Sequence, residues 1–328
     1  MASVRLLDTP ADYQRLGVNP TQIESWEDGR RNWHQEPGNW EWWYFDSVLD
    51  DGTKAVIQFF IRPGKSIKKH GDHPSLTIKV TTPDGKLHQE DVSVKVADCT
   101  FGKDQCDVHL GDNSFVGDLK QYRIHVAPVN GLGADLTLTS RTTPYRPGSG
   151  YHDHQWGNHF YMTEWNNWLW ARQRFDDYTV LLFDLIAAEK DGYQRFPIMF
   201  IEDAAGKLVF ENRQAVKCTV SGFYQDELSG KDYPKALRYE LESDGKQVTY
   251  SLAEEEILDA QGIKKIPFIF KQVARHNGVG NLSYSRYYGT GTLRIDDGDQ
   301  VVERQGKLIY EFMFPGESCR QVLDTDHN

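Results

Sequence analysis

Short stretches in which apolar residues alternate with polar ones, or run together briefly, recur along the whole chain with turn-forming residues between them. That is the pattern of antiparallel β-structure. In the first half it predicts strands over "AVIQFFI" (55–61), "LTIKVTT" (76–82), "DVSVKV" (91–96), "QYRIHV" (121–126) and "ADLTLTS" (134–140). "DDGT", "PDGK" and "NGLG" fall between them and supply the positive φ of tight hairpins. The second half continues with "YTVLLFDLIAA" (178–188), "FPIMFIED" (196–203), "KLVFEN" (207–212) and "AVKCTVSGF" (215–223). "QVTYSLAEEEIL" (247–258), "FIFKQVA" (268–274) and "RYYGTGTLRI" (286–295) complete the set, with "KDG", "AAGK" and "SDGK" as turns. Helical periodicity is scarce. The clearest helix start is "DTPADYQRLG", where Thr9 can cap and Pro10 suits the first helical position.

Between the halves, "TTPYRPGSG" (142–150) reads as a linker, because it holds two prolines and two glycines. The expected organisation is an N-terminal β-domain over 1–145 and a C-terminal one over 146–328, each with enough strands for an antiparallel barrel or sandwich. A closed barrel of about eight strands can hold one ligand, whereas a sandwich is usually filled.

Composition narrows the partners. The 328 residues are 39% apolar and 26% charged, and the mean hydropathy is -0.62. No apolar run approaches the roughly 18 residues of a membrane-spanning helix, so stable membrane insertion is not expected. The formal charge of -11 disfavours nucleic acid and anionic membranes, which need clustered Lys and Arg. The one small basic group, "KSIKKH" (65–70), reads as a solvated loop. The N-terminal residues lack the basic start, apolar stretch and small-residue site of a secretory signal. A cytoplasmic location is therefore expected, with secretion open if a leader has been removed. Cys99, Cys106, Cys218 and Cys319 are too few and too scattered for a disulfide framework or a CxxC zinc site, and reduced thiols are expected. The sequon Asn281-Leu282-Ser283 is a triplet common by chance.

All nine tryptophans fall within 26–43 and 156–170. Such rings can wall an apolar ligand cavity, or they can plug barrel ends and join the halves. The first window contains "EWWYFD", in which Glu41 and Asp46 are threaded among aromatics; if 40–46 is extended, Trp40, Trp42, Tyr44 and Asp46 share one face and Glu41, Trp43 and Phe45 the other. In the second, "YHDHQW" sends His152, His154 and Trp156 to one face and Tyr151, Asp153 and Gln155 to the other. A His-x-His pair can bind zinc with His159, Glu164 or a distant carboxylate, but no second His/Cys cluster completes a set, which favours hydrogen-bonded histidines. Asp153, Glu164, Glu41 and Asp46 are acids beside tryptophans. Burial among apolar groups raises a carboxyl pKa, so such an acid can stay protonated and donate. The competing reading is that Asp46 and Asp153 anchor backbone amides or pair with Arg62, Arg172 or Arg174. No GxSxG elbow, P-loop, dinucleotide fingerprint or HExxH is present, and no cofactor or metal is expected.

"EWWYFDSVLDDG" (41–52) with "YHDHQWGN" (151–158) resembles the family of hydroxyneurosporene synthase (carotenoid 1,2-hydratase) and AttH-like proteins, which includes lipocalin-like fungal Diels-Alderases. "CDVHLGDNSFVGDLKQYRIHV" (106–126) is similar to the first-domain segment of those pericyclases. The resemblance covers most of the chain, although the last hundred or so residues carry no matching motif. It implies an all-β fold of two lipocalin-like antiparallel β-barrel or sandwich domains packed together. It also implies a cofactor-free enzyme acting on a hydrophobic small molecule: a polyene, terpenoid or polyketide. A hydratase needs a strong acid, a water site and access to membrane-dissolved substrate through an apolar or basic rim, which this acidic chain lacks. A cyclase performing a Diels-Alder or hetero-Diels-Alder reaction needs mainly shape, aromatic walls and one or two hydrogen-bond donors, and is the expected activity. In that reading Trp42, Trp43, Tyr44, Trp156, Trp168 and Trp170 contact substrate. His152, His154 and Asp153 orient a carbonyl or hydroxyl, Tyr151 or Glu164 supplies a proton, and Glu41 and Asp46 are further candidate acids. A carrier that binds a hydrophobic ligand without changing it stays open as a different class.

Overall fold

The structure is a computed structural model and describes residues 4–140, 149–212, 217–262, 282–318 and 320–324. It is all-β and lipocalin-like, and it divides into two compact units, Leu7–Phe160 and Tyr161–Asn328 with Met1–Leu6. The first unit begins with helix α1 (Pro10–Leu16), built as its sequence predicts. The Thr9 side chain caps the Asp12 amide, Asp12 reciprocates, and Gly17 closes the helix in the left-handed region. A 3-10 turn follows at Ser25–Asp28.

Two five-stranded antiparallel sheets then enclose one core. The first, in the order β10-β1-β2-β3-β4, combines β1 (Trp40–Val48), β2 (Lys54–Phe60), β3 (Ser75–Thr81), β4 (Leu87–Ser93) and β10 (Ser149–Gly157). The second runs in chain order through β5 (Cys99–Phe101), β6 (Cys106–Leu110), β7 (Asn113–Gly117), β8 (Gln121–Val129) and β9 (Leu132–Thr139). Trp43, Phe45, Ile57, Phe59, Leu76 and Phe115 are among the side chains that fill the space between them.

The second unit is dominated by a nine-stranded antiparallel sheet, β14-β13-β12-β11-β21-β20-β19-β18-β15. Its strands are β11 (Trp165–Arg174), β12 (Tyr178–Ala187), β13 (Arg195–Asp203), β14 (Leu208–Asn212), β15 (Lys217–Val220), β18 (Ala236–Ser243), β19 (Lys246–Gly262), β20 (Ser283–Asp296) and β21 (Val301–Phe314). A small ribbon pairs β16 (Phe223–Gln225) with β17 (Asp232–Pro234), and a one-turn helix α2 (Arg320–Leu323) follows β21. The sheet curls so that β14 approaches β18. Its interior is lined by Leu182, Met199, Tyr239, Tyr250, Tyr287 and other buried side chains. Within it Asp184 accepts from Arg195 Nε at 2.8 Å and from the Tyr239 hydroxyl at 2.8 Å.

Most predicted strands are present, and local turn chemistry explains why. Asn130 and Gly131 both adopt positive φ between β8 and β9, as do Asp244 and Gly245 between β18 and β19. Some expectations need correction. "DVSVKV" is not one strand: the "PDGK" turn returns the chain at Leu87, so β4 spans Leu87–Ser93, and Val96–Asp98 is a 3-10 turn. "AVKCTVSGF" is broken at Gly222, where φ is +78°. The domain boundary expected at 145/146 lies one strand ahead of the unit limit, because β10 pairs with β1 from Trp40↔Gly157 to Val48↔Ser149. "FIFKQVA", Asn281, Cys319 and residues 142–148 of the expected linker lie outside the described residues. Cys99, Cys106 and Cys218 are free thiols. Among the described residues, no helix is long and apolar enough to cross a membrane.

One prediction concerns the second unit's interior. The Gln173 amide donates to the carbonyls of Gly306 (2.8 Å) and Gly291 (3.3 Å) and accepts from the Tyr250 hydroxyl (2.8 Å). A Cβ on Gly291 would lie 1.9 Å from Gln173 Oε1. Gly291→Ala is therefore expected to displace that amide and lower stability by about 1–3 kcal/mol, read from urea denaturation.

Candidate functional site

Both tryptophan windows contribute to the first unit through β1 and β10, which are neighbours in the sheet. Burial alternates strictly along β1: Glu41, Trp43, Phe45 and Ser47 point into the core, while Trp40, Trp42, Tyr44 and Asp46 are half-buried on the other face. The antiparallel register places Trp42 opposite Gln155, Tyr44 opposite Asp153 and Asp46 opposite Tyr151, so those β10 side chains share the face turned away from the core. From β2, Phe60 stands opposite Trp42 and Gln58 opposite Tyr44.

This outer face is an aromatic platform with two acids on it. The Trp40 and Trp42 rings stack with centroids 4.4 Å apart, Phe60 lies 6.2 Å from Trp42, and Tyr44 meets Tyr151 edge-on at 6.3 Å. Trp40 is fixed by its Nε1, which donates to the His159 carbonyl at 2.7 Å. Gly157 is required beside it, since a Cβ there would fall 2.7 Å from the indole. The Tyr44 hydroxyl donates to Asp46 Oδ2 at 3.2 Å, and Gln155 Nε2 donates to Asp153 Oδ1 at 3.3 Å. Burial pushes the Asp153 carboxyl up to about 6; the His152 charge and the Tyr151 and Gln155 hydrogen bonds oppose that rise, and Asp46 adds to it.

The core face of the same two strands is a closed hydrogen-bond network. Glu41 Oε1 accepts from the Arg31 amide (2.6 Å) and His154 Nε2 (2.8 Å), and Oε2 from the Asn32 amide (2.9 Å). His154 Nδ1 lies 3.1 Å from the Glu27 carbonyl, and its ring stacks on Trp43 at 4.6 Å. His152 Nδ1 lies 2.8 Å from the Tyr44 carbonyl, and its Nε2 lies 3.1 Å from both Asp28 oxygens. The Tyr122 hydroxyl donates to Asp28 Oδ2 at 2.6 Å. Burial disfavours a charged His152 ring, but the Asp28 hydrogen bond and charge, the Tyr44 carbonyl and Asp153 outweigh it, so its pKa lies above the ordinary value. The two histidines share a face, as the period of two predicts, yet each is bound to its own carboxylate. Among the described residues, no group of His, Cys, Asp and Glu is arranged to hold a metal.

The remaining candidates lie at the end of the core-side row or in the second unit. Trp156 ends the core-side row of β10, largely exposed, with its ring 4.9 Å from His154. In the second unit, Trp168 and Trp170 are half-buried on β11, turned away from the core side that Leu169 and Ala171 occupy. Tyr161 lies 6.2 Å from Trp168, and Phe183 lies 6.4 Å from Trp170. Both Glu164 oxygens take Lys190 Nζ at 3.0 Å. Arg62 donates to the Glu36 carbonyl at 2.5 Å. The first unit also has an open cleft of about 580 Å³ along Lys69, His73, Ser93 and Lys95. None of the motif residues lines it.

Sequence reasoning passed over Asp28, Tyr122, Trp40 and Gln155 as functional candidates. Asp28 meets the criterion that selected the other acids, since it lies two residues from Trp26. Trp40 and Gln155 follow from Trp42 and Asp153 by the strand period. Tyr122 carries no signal in its own segment, because its partner is brought in by the fold.

No protein-family model matches the sequence, and no curated protein does. Solved structures match across nearly the full chain. An AttH-like protein from Nitrosomonas europaea shares 16% identity over 88% of this chain and 95% of its own, with a TM-score of 0.51. CghA shares 13% identity over 91% and 97%, with a TM-score of 0.55. CghA in complex with Sch210972 gives 14% identity, 90% and 96% coverage and a TM-score of 0.54. These neighbours agree with the resemblance carried by the two tryptophan windows, and at these identities the likeness is one of fold.

Proposed function

We propose that the outer face of β1 and β10 is the working surface of a cofactor-free enzyme that folds a hydrophobic polyene or terpenoid for a Diels-Alder or hetero-Diels-Alder cyclisation. The observation that carries this reading is Asp153. It is a half-buried acid in the middle of an aromatic platform, and burial there pushes its carboxyl up to about 6. Trp40, Trp42 and Phe60 offer flat apolar contact to a conjugated chain. Asp153 in its acid form, with Gln155 and Tyr151 beside it, donates a hydrogen bond to a substrate carbonyl and lowers the energy of the acceptor alkene. The reaction then makes two σ bonds, both carbon–carbon in the Diels-Alder case and at least one to a heteroatom in the hetero-Diels-Alder case, from π electrons already in the substrate, so no proton or electron is consumed. Holding the reacting ends together supplies the larger part of the rate. That CghA has been solved with a small molecule, Sch210972, supports a small-molecule ligand for this fold. Glu41, His152 and His154 serve in this reading as supports behind the face. Trp168, Trp170 and Glu164 remain candidates to be tested in the same series.

The same acid suits a second reading. A carboxyl that keeps its proton near pH 6 can also protonate an alkene for hydration. Incorporation of oxygen from labelled water into product separates the hydratase from the cyclase, and a ligand returned unchanged indicates a carrier.

The test is Asp153→Asn assayed with a panel of linear polyenes. Turnover is expected to fall by about 10²-fold while the urea midpoint is retained. In the unmodified protein turnover should be full below about pH 6 and decline above it as Asp153 ionises. The variant should lose that limb. Linkage has a matching sign: a carboxyl whose folded pKa is raised stabilises the fold below its unfolded pKa, and that contribution disappears as pH rises through about 6. Unchanged turnover in a folded Asp153→Asn protein rejects the assignment.

A further inference from the structure

Behind the acid face lies a buried polar chain that a ligand-contact role does not explain. Tyr122 on β8 donates to Asp28, Asp28 accepts from His152, and His152 reaches the backbone carbonyl of Tyr44. Tyr44 is the residue directly opposite Asp153 in the β1–β10 ladder, and His152 is the residue before Asp153 on β10. The chain therefore ends on both strands at the level of the acid. Both His152 nitrogens face oxygens that can only accept, so a doubly protonated ring satisfies the whole arrangement.

We propose that Asp28 is a positioning residue for the acid face: it holds His152 as a fixed cation at the back of β10 and thereby sets the charge state of Asp153 on the opposite side of the strand. This inference rests on the reading of Asp153 as the working acid. The surroundings of His152 leave Asp28 as its main counter-charge. The 3-10 turn contributes Asp28, β8 contributes the Tyr122 ring at 4.5 Å, and β7 contributes the uncharged Phe115 at 5.0 Å. From β6 comes the buried thiol of Cys106, which burial, Asp28 and Asp107 keep protonated. On the core side of β10, His154 Nδ1 lies 3.7 Å from Asp28 Oδ1, but His154 is itself bonded to Glu41. On the outer side Asp153 faces Asp46, Tyr44, Tyr151 and Gln155.

The sign follows from charge. Neutral asparagine at position 28 withdraws support from the His152 proton, and loss of that cation makes Asp153 hold its own proton more tightly. His152→Gln removes the cation directly and acts in the same direction. The experiment is a nuclear magnetic resonance titration of the full chain, reading imidazole nitrogen shifts for His152 and the carboxyl carbon shift for Asp153. In the unmodified protein His152 is expected to be doubly protonated at pH 7, and a neutral ring there overturns the proposal without any variant. In Asp28→Asn or His152→Gln, whichever folds, the Asp153 midpoint is expected to move upward, and the alkaline limb of turnover with it. A midpoint unchanged in a folded variant overturns the proposal. Failure of the catalytic reading is distinguishable, because Asp153→Asn would then keep its turnover while the titrations still move together.

Discussion

Glu41→Ala is expected to cost about 3–5 kcal/mol of stability and to leave activity per folded molecule unchanged. The side chain is 1% exposed and accepts three hydrogen bonds, from two consecutive backbone amides and from His154. Alanine fills none of these roles. The Arg31 and Asn32 amides and His154 Nε2 would then be buried without an acceptor, and each such group costs about 1–3 kcal/mol. The segment they belong to is also tied to β10, since Asn32 Nδ2 donates to the Gly157 carbonyl at 2.7 Å. Losing Glu41 therefore loosens the cover of the core face rather than one contact. A total stability of about 5–15 kcal/mol is typical of folded domains, so the loss would be a large share of the total. Glu41→Gln keeps one oxygen for an amide but turns an NH2 toward another donor, and should fall between alanine and the parent. Urea denaturation followed by tryptophan fluorescence gives the comparison. A loss under about 1 kcal/mol would mean that the Arg31–Asn32 turn is held by other groups. Abolished turnover in a fully stable Glu41→Gln protein would make Glu41, rather than Asp153, the working acid.

The difference between those two acids shows what was legible in the sequence. Alternation alone sorted β1 and β10 into the faces that the structure displays, because side chains on extended backbone must alternate. It could not tell which face is inner. Each carries one acid among aromatics, and the deciding groups, Asp28 and the Arg31 and Asn32 amides, lie in an irregular segment that no periodicity describes. Hairpins were legible wherever turn chemistry is local, as at Asn130-Gly131 and Asp244-Gly245. The β1–β10 ladder was not, since it joins Trp40 to Gly157 across more than a hundred residues and nothing in either segment specifies its partner. For a different reason β21 escaped notice. Its first half, "VVERQGK", is exposed or half-buried throughout, and burial becomes regular only from Leu308 onward, so the apolar contrast that marks a strand is missing where the strand begins. Family likeness reached the fold through the tryptophan windows, where large side chains leave a distinctive spacing. It could not reach the second unit's last strands, whose partners come from distant segments, as when Ser283 of β20 meets the Tyr233 hydroxyl of β17 at 2.6 Å.

Adjacent tryptophans on β1 are expected to respond to alanine in opposite ways. Trp43 is 0% exposed, stacks on His154 at 4.6 Å and on Phe101 at 6.2 Å, and donates from Nε1 to the Asp28 carbonyl at 2.9 Å. Removing the indole opens a cavity between the two sheets and frees a buried carbonyl, and Phe or Trp to Ala changes in cores cost about 3–5 kcal/mol. It also withdraws the ring that holds His154 against Glu41, so Trp43→Ala and Glu41→Ala touch one network and their costs should not add. Trp42 is half-buried on the other face, stacked on Trp40 at 4.4 Å. Its loss there should lower stability by only about 1 kcal/mol, because the ring is half-buried and is not among the side chains that fill the core between the two sheets. A polyene lying on the platform would lose a stacking partner, and binding should weaken by about tenfold. Parallel urea melts and ligand titrations of the two variants test the assignment of faces. A destabilised Trp42→Ala protein that binds normally, beside a stable Trp43→Ala protein that does not bind, would place the ligand on the core side and remove Asp153 from the reaction.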